Sequence, residues 1–175
     1  MTRRLIQPRP LTARAFAPFG DVIAVPEGAQ GRTINYGHAL RFDNLAHIDV
    51  TANGGEAAVS IFRASPPGLP AAIRVMERHP LSSQAFIPLS SRPFLVVVAP
   101  PGDFAAEKIS AFLAGPGQGV NYHAGVWHHF CLALDKASDF LVIERKGEGD
   151  NCDEVMLDPA RPLFVDLAAD REPER

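Results

Sequence analysis

Two short segments of the chain concentrate the side chains that could perform acid–base or metal chemistry. Residues 119–130, GVNYHAGVWHHF, hold three of the six histidines, the only tryptophan and one of the two tyrosines. Residues 77–84, ERHPLSSQ, bring a carboxylate, an imidazole and an amide. Imidazole and carboxylate groups act as general acids and bases, and they also bind divalent metals. Together the segments predict a small-molecule site.

Strand geometry decides which side chains of the first segment can meet. Successive residues of a strand point to opposite faces, so Glu77 and His79 are expected on one face. Gln84 follows just beyond a turn at residues 81–83. Residues 73–78 alternate without interruption, which predicts one continuous strand. A carboxylate, an imidazole and an amide would then converge.

The second segment is less simple, because Gly125 predicts a turn or bulge that resets the facing of the strand. Alternation alone therefore leaves open which histidines point inward. His129 is expected to face away from the site, and His123 and His128 are the candidates for chemistry.

The chain contains 16 prolines and 14 glycines, which interrupt it at short intervals and leave little room for long helices. Between them lie short apolar runs, such as PFLVVVAP at 93–100 and DFLVIER at 139–145. This pattern predicts a mainly β fold, with many short strands closed into a sandwich or barrel. One short helix is expected after Thr12, which can cap it, and before Pro18 and Gly20.

Length and composition favour one domain, which we place at residues 1–170, with a charged C-terminal tail at 171–175. The formal net charge is −3, and the absence of a basic stripe argues against a nucleic-acid partner. No apolar run approaches the roughly 20 residues that cross a bilayer. Cys131 and Cys152 are too few for a disulfide framework, which predicts reduced thiols and a cytoplasmic protein.

The order of the polar residues resembles the two cupin motifs: E-x-H, then Gln five residues after the His, and much later G-x-x-x-H-x-x-x-x-H. By this resemblance Glu77, His79, Gln84 and His128 fall on the four metal-ligand positions. Glu stands where many cupins have the first His, and Gln stands where they have Glu. Such a donor set suits Ni, Mn or Zn better than Ca. Two His and one Glu also describe an acid–base site without metal.

Four blocks, in order and spacing, resemble the ureidoglycolate lyase family: FAPFGDVI, ERHPLSSQAFIPL, GVNYHAGVWHH and DFLVIERKGEGDNCD. The resemblance covers nearly the whole chain. It implies a cupin-like β-barrel of the jelly-roll type, usually a homodimer, that cleaves (S)-ureidoglycolate to glyoxylate and urea in allantoin breakdown. This is the reaction of a carbon–nitrogen (amidine) lyase, with a divalent metal and no organic cofactor.

The reaction requires a base near the substrate hydroxyl, an acid near the departing nitrogen and a cation for the carboxylate. Glu77, His79 and His128 are the candidate bases, and His123 or Tyr122 could donate a proton. A guanidinium matches a carboxylate in a bidentate manner, which makes Arg41, Arg63 and Arg145 candidate carboxylate partners. The Asn35 amide is expected to recognise the urea end of the substrate through hydrogen bonds. The expected catalytic residues are Glu77, His79, His123 and His128, and the expected substrate-binding residues are Asn35, Arg41, Arg63, Gln84, Tyr122 and Trp127.

Two other functions fit the same residues. One is a metal-dependent amidohydrolase that releases ammonia and carbon dioxide together with glyoxylate, and the other is a non-enzymatic cupin module that binds a small carboxylate or a metal. The products separate the first from the lyase, and a protein that binds glyoxylate without turnover would favour the second. The fold alone does not choose among them.

Overall fold

The computed structural model describes residues 3–167, and strands dominate them. The described residues contain one α-helix, α1 (Ala13–Phe16), and three 3-10 turns at Asn35–Gly37, Ala52–Gly54 and Ala106–Lys108. None of these helices is long and apolar enough to cross a membrane. The predicted mainly β fold with few short helices is confirmed, and the predicted tail at 171–175 lies outside the described residues.

The strands are numbered in chain order. They are β1 (Arg4–Ile6), β2 (Arg9–Pro10), β3 (Gly20–Ile23), β4 (Arg32–Ile34), β5 (Ala39–Arg41), β6 (Glu56–Ala64), β7 (Ala71–Ile73), β8 (Val75–Arg78), β9 (Gln84–Pro88), β10 (Phe94–Ala99), β11 (Ser110–Ala114), β12 (Gly119–Tyr122), β13 (Trp127–His128), β14 (Leu132–Ala133), β15 (Ser138–Lys146), β16 (Asp153–Met156) and β17 (Leu163–Val165).

These strands form four sheets, none of which closes on itself within residues 3–167. The seven-stranded sheet has the order β16-β8-β13-β10-β11-β2, with β14 beside β10. The five-stranded sheet has the order β3-β12-β9-β15-β6, so β6 is an edge strand. A three-stranded sheet, β1-β17-β7, and the hairpin β4-β5 complete the fold.

The main core lies between the seven-stranded and five-stranded sheets. Phe94 of β10 meets Phe140 of β15 with ring centroids 5.1 Å apart, and Phe86 meets Tyr122 at 5.9 Å. A second core separates the seven-stranded sheet from the three-stranded sheet. Because alternate residues of β10 enter the two cores, its whole run Phe94–Ala99 is buried.

Local sequence explains how the chain enters this fold. The Thr12 hydroxyl accepts a hydrogen bond from the Ala15 amide at 3.2 Å and caps α1, as predicted. The helix buries Phe16 in the main core, and the chain then enters β3 at Gly20. A Cβ on Gly20 would overlap the Asn121 carbonyl of the paired strand β12. Glycine therefore permits this close strand pairing.

The expectation of one continuous strand over residues 73–78 is wrong. The chain leaves the three-stranded sheet after Ile73 and joins the seven-stranded sheet at Val75, and Arg74 between them belongs to neither strand. The Arg74 carbonyl instead accepts a hydrogen bond from the Leu157 amide at 2.8 Å. This break resets the alternation, so Ile73 and Met76 both enter the second core.

The turn that Gly125 predicts is present. Gly125 has φ of +76°, which favours glycine, and the Val126 amide donates to the His123 carbonyl at 3.1 Å. The Gly125 amide donates to the His79 carbonyl at 2.9 Å, which ties the two polar segments together. The turn separates β12 from β13, which lie in different sheets.

Candidate active site

Three side chains with acid–base or metal-binding groups meet at one end of the main core. The ligand atoms of Glu77, His79 and His128 all lie within 4.8 Å of one another. Strand pairing brings them together, because His128 on β13 lies opposite Glu77 on β8, and His79 follows directly after β8. The predicted convergence of the two polar segments is therefore present in the structure.

His128 is a buried, neutral imidazole. Burial, and after it the neighbouring His79, lower its pKa to about 3, against an opposing effect of the His129 carbonyl. Its ring stacks on Tyr122, with centroids 4.3 Å apart and planes 3° from parallel. The Nδ1 atom lies 3.7 Å from Oε1 of Glu77, and Nε2 is buried without a hydrogen-bond partner in residues 3–167. His128 therefore stays unprotonated at neutral pH, and its Nε2 can bind a cation.

Glu77 is the partly buried carboxylate of the site. Burial raises its pKa, His79 opposes this shift, and the Glu154 carboxylate on the neighbouring strand β16 adds to it. A raised pKa makes a carboxylate a stronger base. Glu77 therefore has the chemistry of a general base that retains contact with solvent.

His79 and Gln84 share a chain of hydrogen bonds. His79 Nδ1 lies 2.6 Å from the Asn151 carbonyl, to which it donates, and Nε2 lies 3.1 Å from Oε1 of Gln84. The Gln84 amide nitrogen donates to Oε2 of Glu144 at 3.4 Å, and the Ser60 hydroxyl donates to Oε1 of Glu144 at 2.7 Å. These contacts fix the His79 ring and the Gln84 amide toward one another.

A cavity of about 260 Å³ opens beside this chain of hydrogen bonds. Its lining residues are His79, Ser82, Gln84, Glu144, Arg145, Asn151 and Cys152. Ser60, Glu144 and Asn151 were not predicted from the sequence. Glu144 and Asn151 both lie within the block DFLVIERKGEGDNCD, which was the only signal for them. Ser60 gave no signal, because its strand was interpreted as an ordinary strand of the fold.

Tyr122, an expected substrate-binding residue, lies against the cluster through its stack on His128. Burial, together with Cys131 and Glu77, raises the pKa of its phenol. Tyr122 therefore keeps its proton at neutral pH.

His123 lies apart from the cluster. Its Nε2 is 3.3 Å from Oδ2 of Asp21, and its side chain is 46% exposed. Partial burial would raise the pKa of Asp21, but hydrogen bonds from the Asn121 side chain and the His47 amide, with His123 nearby, lower it overall. The turn that follows β12 carries His123 to this second location.

Trp127 lies on the opposite face of the seven-stranded sheet. Adjacent residues of a strand face opposite sides, so His128 stacks on Tyr122 of the main core, whereas Trp127 enters the second core. Its ring packs against Phe104 at 5.4 Å and beneath the Arg78 guanidinium at 4.6 Å, and its Nε1 donates to the Gly102 carbonyl at 3.0 Å. The structure does not bring Trp127 to the Glu77 cluster.

The other expected substrate-binding residues also lie elsewhere. Asn35 is exposed in the turn between β4 and β5, and Arg41 forms an ion pair with Asp43. Arg63 donates to both carboxylate oxygens of Asp139, at 2.7 and 2.9 Å, with a side chain that is 75% exposed.

Arg145 has a different role from the one considered for it. Its guanidinium donates to the carbonyls of Ala52, Asn53 and Glu148 at 3.0, 3.5 and 2.8 Å. A Cβ on Gly55 would overlap this side chain, so glycine leaves the room that it occupies. Arg145 therefore holds the segment before β6 in place.

The cluster fits a divalent cation by its donor chemistry. Two imidazoles and one carboxylate suit Ni, Mn or Zn. His79 donates through Nδ1 to a backbone carbonyl, as metal-binding histidines commonly do, so Nε2, which faces the Gln84 amide oxygen at 3.1 Å, is the ring nitrogen that would bind a cation. Nε2 of His128, which has no hydrogen-bond partner among the described residues, is a further buried nitrogen that a ligand could satisfy. Glu77 also belongs to a second group of ligand atoms, with Cys152 and Glu154.

Comparison with known proteins agrees with the blocks noted in the sequence. The family model described as ureidoglycolate lyase matches residues 3–165. The ureidoglycolate lyase of Burkholderia cepacia is 54% identical over 159 residues, covering 90% of this chain and 89% of the relative. That of Burkholderia mallei is 54% identical over 148 residues, covering 85% and 86%, and that of Pseudomonas putida is 50% identical over 163 residues, covering 93% and 97%. The predicted family is thereby confirmed, and this chain belongs to the ureidoglycolate lyase family.

Proposed function

We propose that this protein is a carbon–nitrogen lyase that cleaves (S)-ureidoglycolate to glyoxylate and urea, a step in allantoin catabolism. The observation that carries the proposal is the meeting of Glu77, His79 and His128 within 4.8 Å, at the end of the main core, in a chain of this family. A lyase needs a base and an acid but no covalent nucleophile. The cluster supplies side chains that can serve as the base and the acid.

The substrate carbon bears a hydroxyl, a carboxylate and the ureido nitrogen. Glu77, whose pKa is raised by burial, accepts the hydroxyl proton as the aldehyde carbonyl forms. The carbon–nitrogen bond breaks, its electron pair goes to nitrogen, and the proton that Glu77 took from the hydroxyl is returned to that nitrogen to complete urea. His128 stays neutral because burial lowers its pKa to about 3, and its stack with Tyr122 closes the core side of the site.

We propose Glu77, His79 and His128, with Gln84 beside them, as the residues that hold a divalent cation, Ni, Mn or Zn. When bound, such a cation supplies positive charge for the hydroxyl and carboxylate oxygens of the substrate. This role of the cation matters because two of the candidate arginines are engaged elsewhere: Arg63 pairs with Asp139, and Arg145 binds three backbone carbonyls.

The test is an incubation of chelator-treated and metal-reconstituted protein with racemic ureidoglycolate, with urea, ammonia and glyoxylate assayed in parallel. A blank without protein corrects for spontaneous decay. His128→Asn is expected to lose activity while retaining its fold, and the matched variant His38→Asn, at an exposed position, is expected to remain active. Equal amounts of urea and glyoxylate, without ammonia, support the lyase.

The same incubation addresses the two alternatives. Ammonia in place of urea would replace the lyase with the amidohydrolase. Glyoxylate binding without any product above the blank would replace both enzymes with a binding module. Chiral analysis of the remaining substrate would test the preference for the (S) form.

We further propose a cupin-like barrel of the jelly-roll type in a single domain, residues 1–170. Support comes from the packing of the seven-stranded and five-stranded sheets around one aromatic core. Limited proteolysis tests the domain: cleavage into two stable fragments would contradict it.

We also propose a cytoplasmic homodimer. Cys131 and Cys152 are both free, as expected of a reducing compartment. The edge strand β6 exposes apolar side chains, with Val59 66% and Ile61 54% exposed, and a second copy could cover them. Light scattering during size-exclusion chromatography tests the dimer, and Ile61→Glu is expected to shift it toward monomer.

A further inference from the structure

Glu144 is an acidic side chain in the wall of the site cavity that the chemistry above does not use. It lies near the end of β15 and points to the same side of the five-stranded sheet as Gln84, whose amide nitrogen donates to Oε2 of Glu144 at 3.4 Å. Both residues line the cavity beside His79. The Ser60 hydroxyl, on the paired strand β6, donates to the other oxygen of Glu144 at 2.7 Å. The carboxylate is therefore held by one donor from each side.

The Glu144 carboxylate decides which way the Gln84 amide points. A carboxylate only accepts hydrogen bonds, so the amide nitrogen of Gln84 turns toward it and the amide oxygen turns away. That oxygen lies 3.1 Å from Nε2 of His79. Gln84 is nearly fully buried, so its amide has little freedom to turn away from this orientation. Gln84 and Glu144 thus bring oxygen acceptors to the wall of the cavity.

Acceptors and a negative charge fit only one end of the proposed substrate. The ureido group is rich in N–H donors, whereas the carboxylate end is an anion that Glu144 would repel. We propose that Glu144 and Gln84 form the subsite for the ureido N–H groups. Gln84 accepts a hydrogen bond from them, and Glu144 acts as the positioning residue that orients Gln84. This inference rests on the proposed function, because it assigns the orientation of that substrate.

A double-mutant cycle separates positioning from a structural role. Glu144→Gln is made in the wild-type background and in Gln84→Leu, which retains volume but has no amide. In the wild-type background we expect kcat/KM to fall about tenfold or more, since a hydrogen bond to a charged group is worth at least about a factor of ten. In the Gln84→Leu background we expect a fall of twofold or less. Equal factors in both backgrounds would mean that Glu144 acts through the fold, and would overturn the inference.

The second readout is binding of the two products, urea and glyoxylate, measured separately by saturation-transfer NMR. Glu144→Gln is expected to weaken the urea signal and to leave the glyoxylate signal within twofold of wild type. The matched control is Glu56→Gln, an exposed glutamate on β6, which is expected to change neither. Weakened glyoxylate binding with unchanged urea binding would reverse the proposed orientation. Circular dichroism confirms that each variant is folded.

These measurements distinguish a failure of the subsite from a failure of the proposed function. A wild-type protein without lyase turnover, but with urea binding that depends on Glu144, would contradict the proposed function and support the subsite. A wild-type protein with lyase turnover, but with kcat/KM and urea binding indifferent to Glu144→Gln, would support the function and overturn the subsite.

Discussion

The buried imidazole of His128 predicts a specific loss of stability in mild acid. Burial lowers its pKa from 6.5 to about 3 in the folded protein, while the unfolded chain titrates near 6.5. Between these values the unfolded state binds the proton and the folded state does not, so stability rises with pH across this range. The contribution is complete above about pH 6.5 and is lost progressively as the pH falls toward 3.

The magnitude follows from the two pKa values. At pH 5 the unfolded imidazole is almost fully protonated and the folded one is not, which lowers the free energy of unfolding by about 2 kcal/mol relative to pH 7. The slope between pH 6 and pH 4 approaches about 1.4 kcal/mol per pH unit from this group alone. Such a loss is a large part of the stability of an ordinary domain.

The assay is urea-induced unfolding at pH 7, 6 and 5, at one protein concentration and in chelator, so that no cation competes for the imidazole. His128→Phe removes the titrating group and retains a ring against Tyr122. We expect its unfolding free energy to fall by about 2 kcal/mol less than that of wild type between pH 7 and pH 5. His38→Gln, at an exposed site, should follow wild type. An equal pH dependence in wild type and His128→Phe would refute the reasoning.

Three further predictions concern substitutions of Tyr122, Glu77 and Asp21. Tyr122→Ala leaves a cavity beside His128 and is expected to lower the free energy of unfolding by about 3–5 kcal/mol, with Tyr122→Phe losing clearly less, as measured by urea unfolding. Glu77→Gln is expected to lower kcat for urea release by about 10²–10⁴ with an unchanged circular dichroism spectrum, and activity close to wild type would exclude Glu77 as the base. Asp21→Ala removes the acceptor of the Asn121 side chain and the His47 amide, and should lower the unfolding free energy by about 1–3 kcal/mol; an unchanged urea midpoint would contradict this.

The site was predictable from sequence where local geometry alone decided the outcome. The period of two predicted that Glu77 and His79 lie close together, which they do although His79 lies just beyond the end of β8, and Gly125 correctly indicated the turn after β12. The break at Arg74 was not predictable, because both halves of residues 73–78 alternate and the change of sheet depends on the distant β16 and β17.

The remaining differences have one physical origin, which is that sequence does not show which sheet a short strand joins. Trp127 and His128 are neighbours in the chain, yet they belong to two different cores on either side of one sheet. His123, five residues before His128, lies beside Asp21 because the chain turns between the sheets. Glu144 could not be identified because its partners Ser60 and Gln84 are 84 and 60 residues away in the chain.

The position of β6 at the sheet edge has a consequence for biosynthesis. Its nine residues pair with β15, and the Ser60–Glu144 contact across this pair spans 84 residues of chain. While the chain is being synthesised, β6 emerges well before its partner, so its backbone hydrogen-bonding groups stay unpaired. Folding of this sheet therefore waits for long-range loop closure, which is slow compared with local structure. We expect nascent chains that end before Ser138 to need chaperones to stay out of aggregates until β15 leaves the ribosome and pairs with β6.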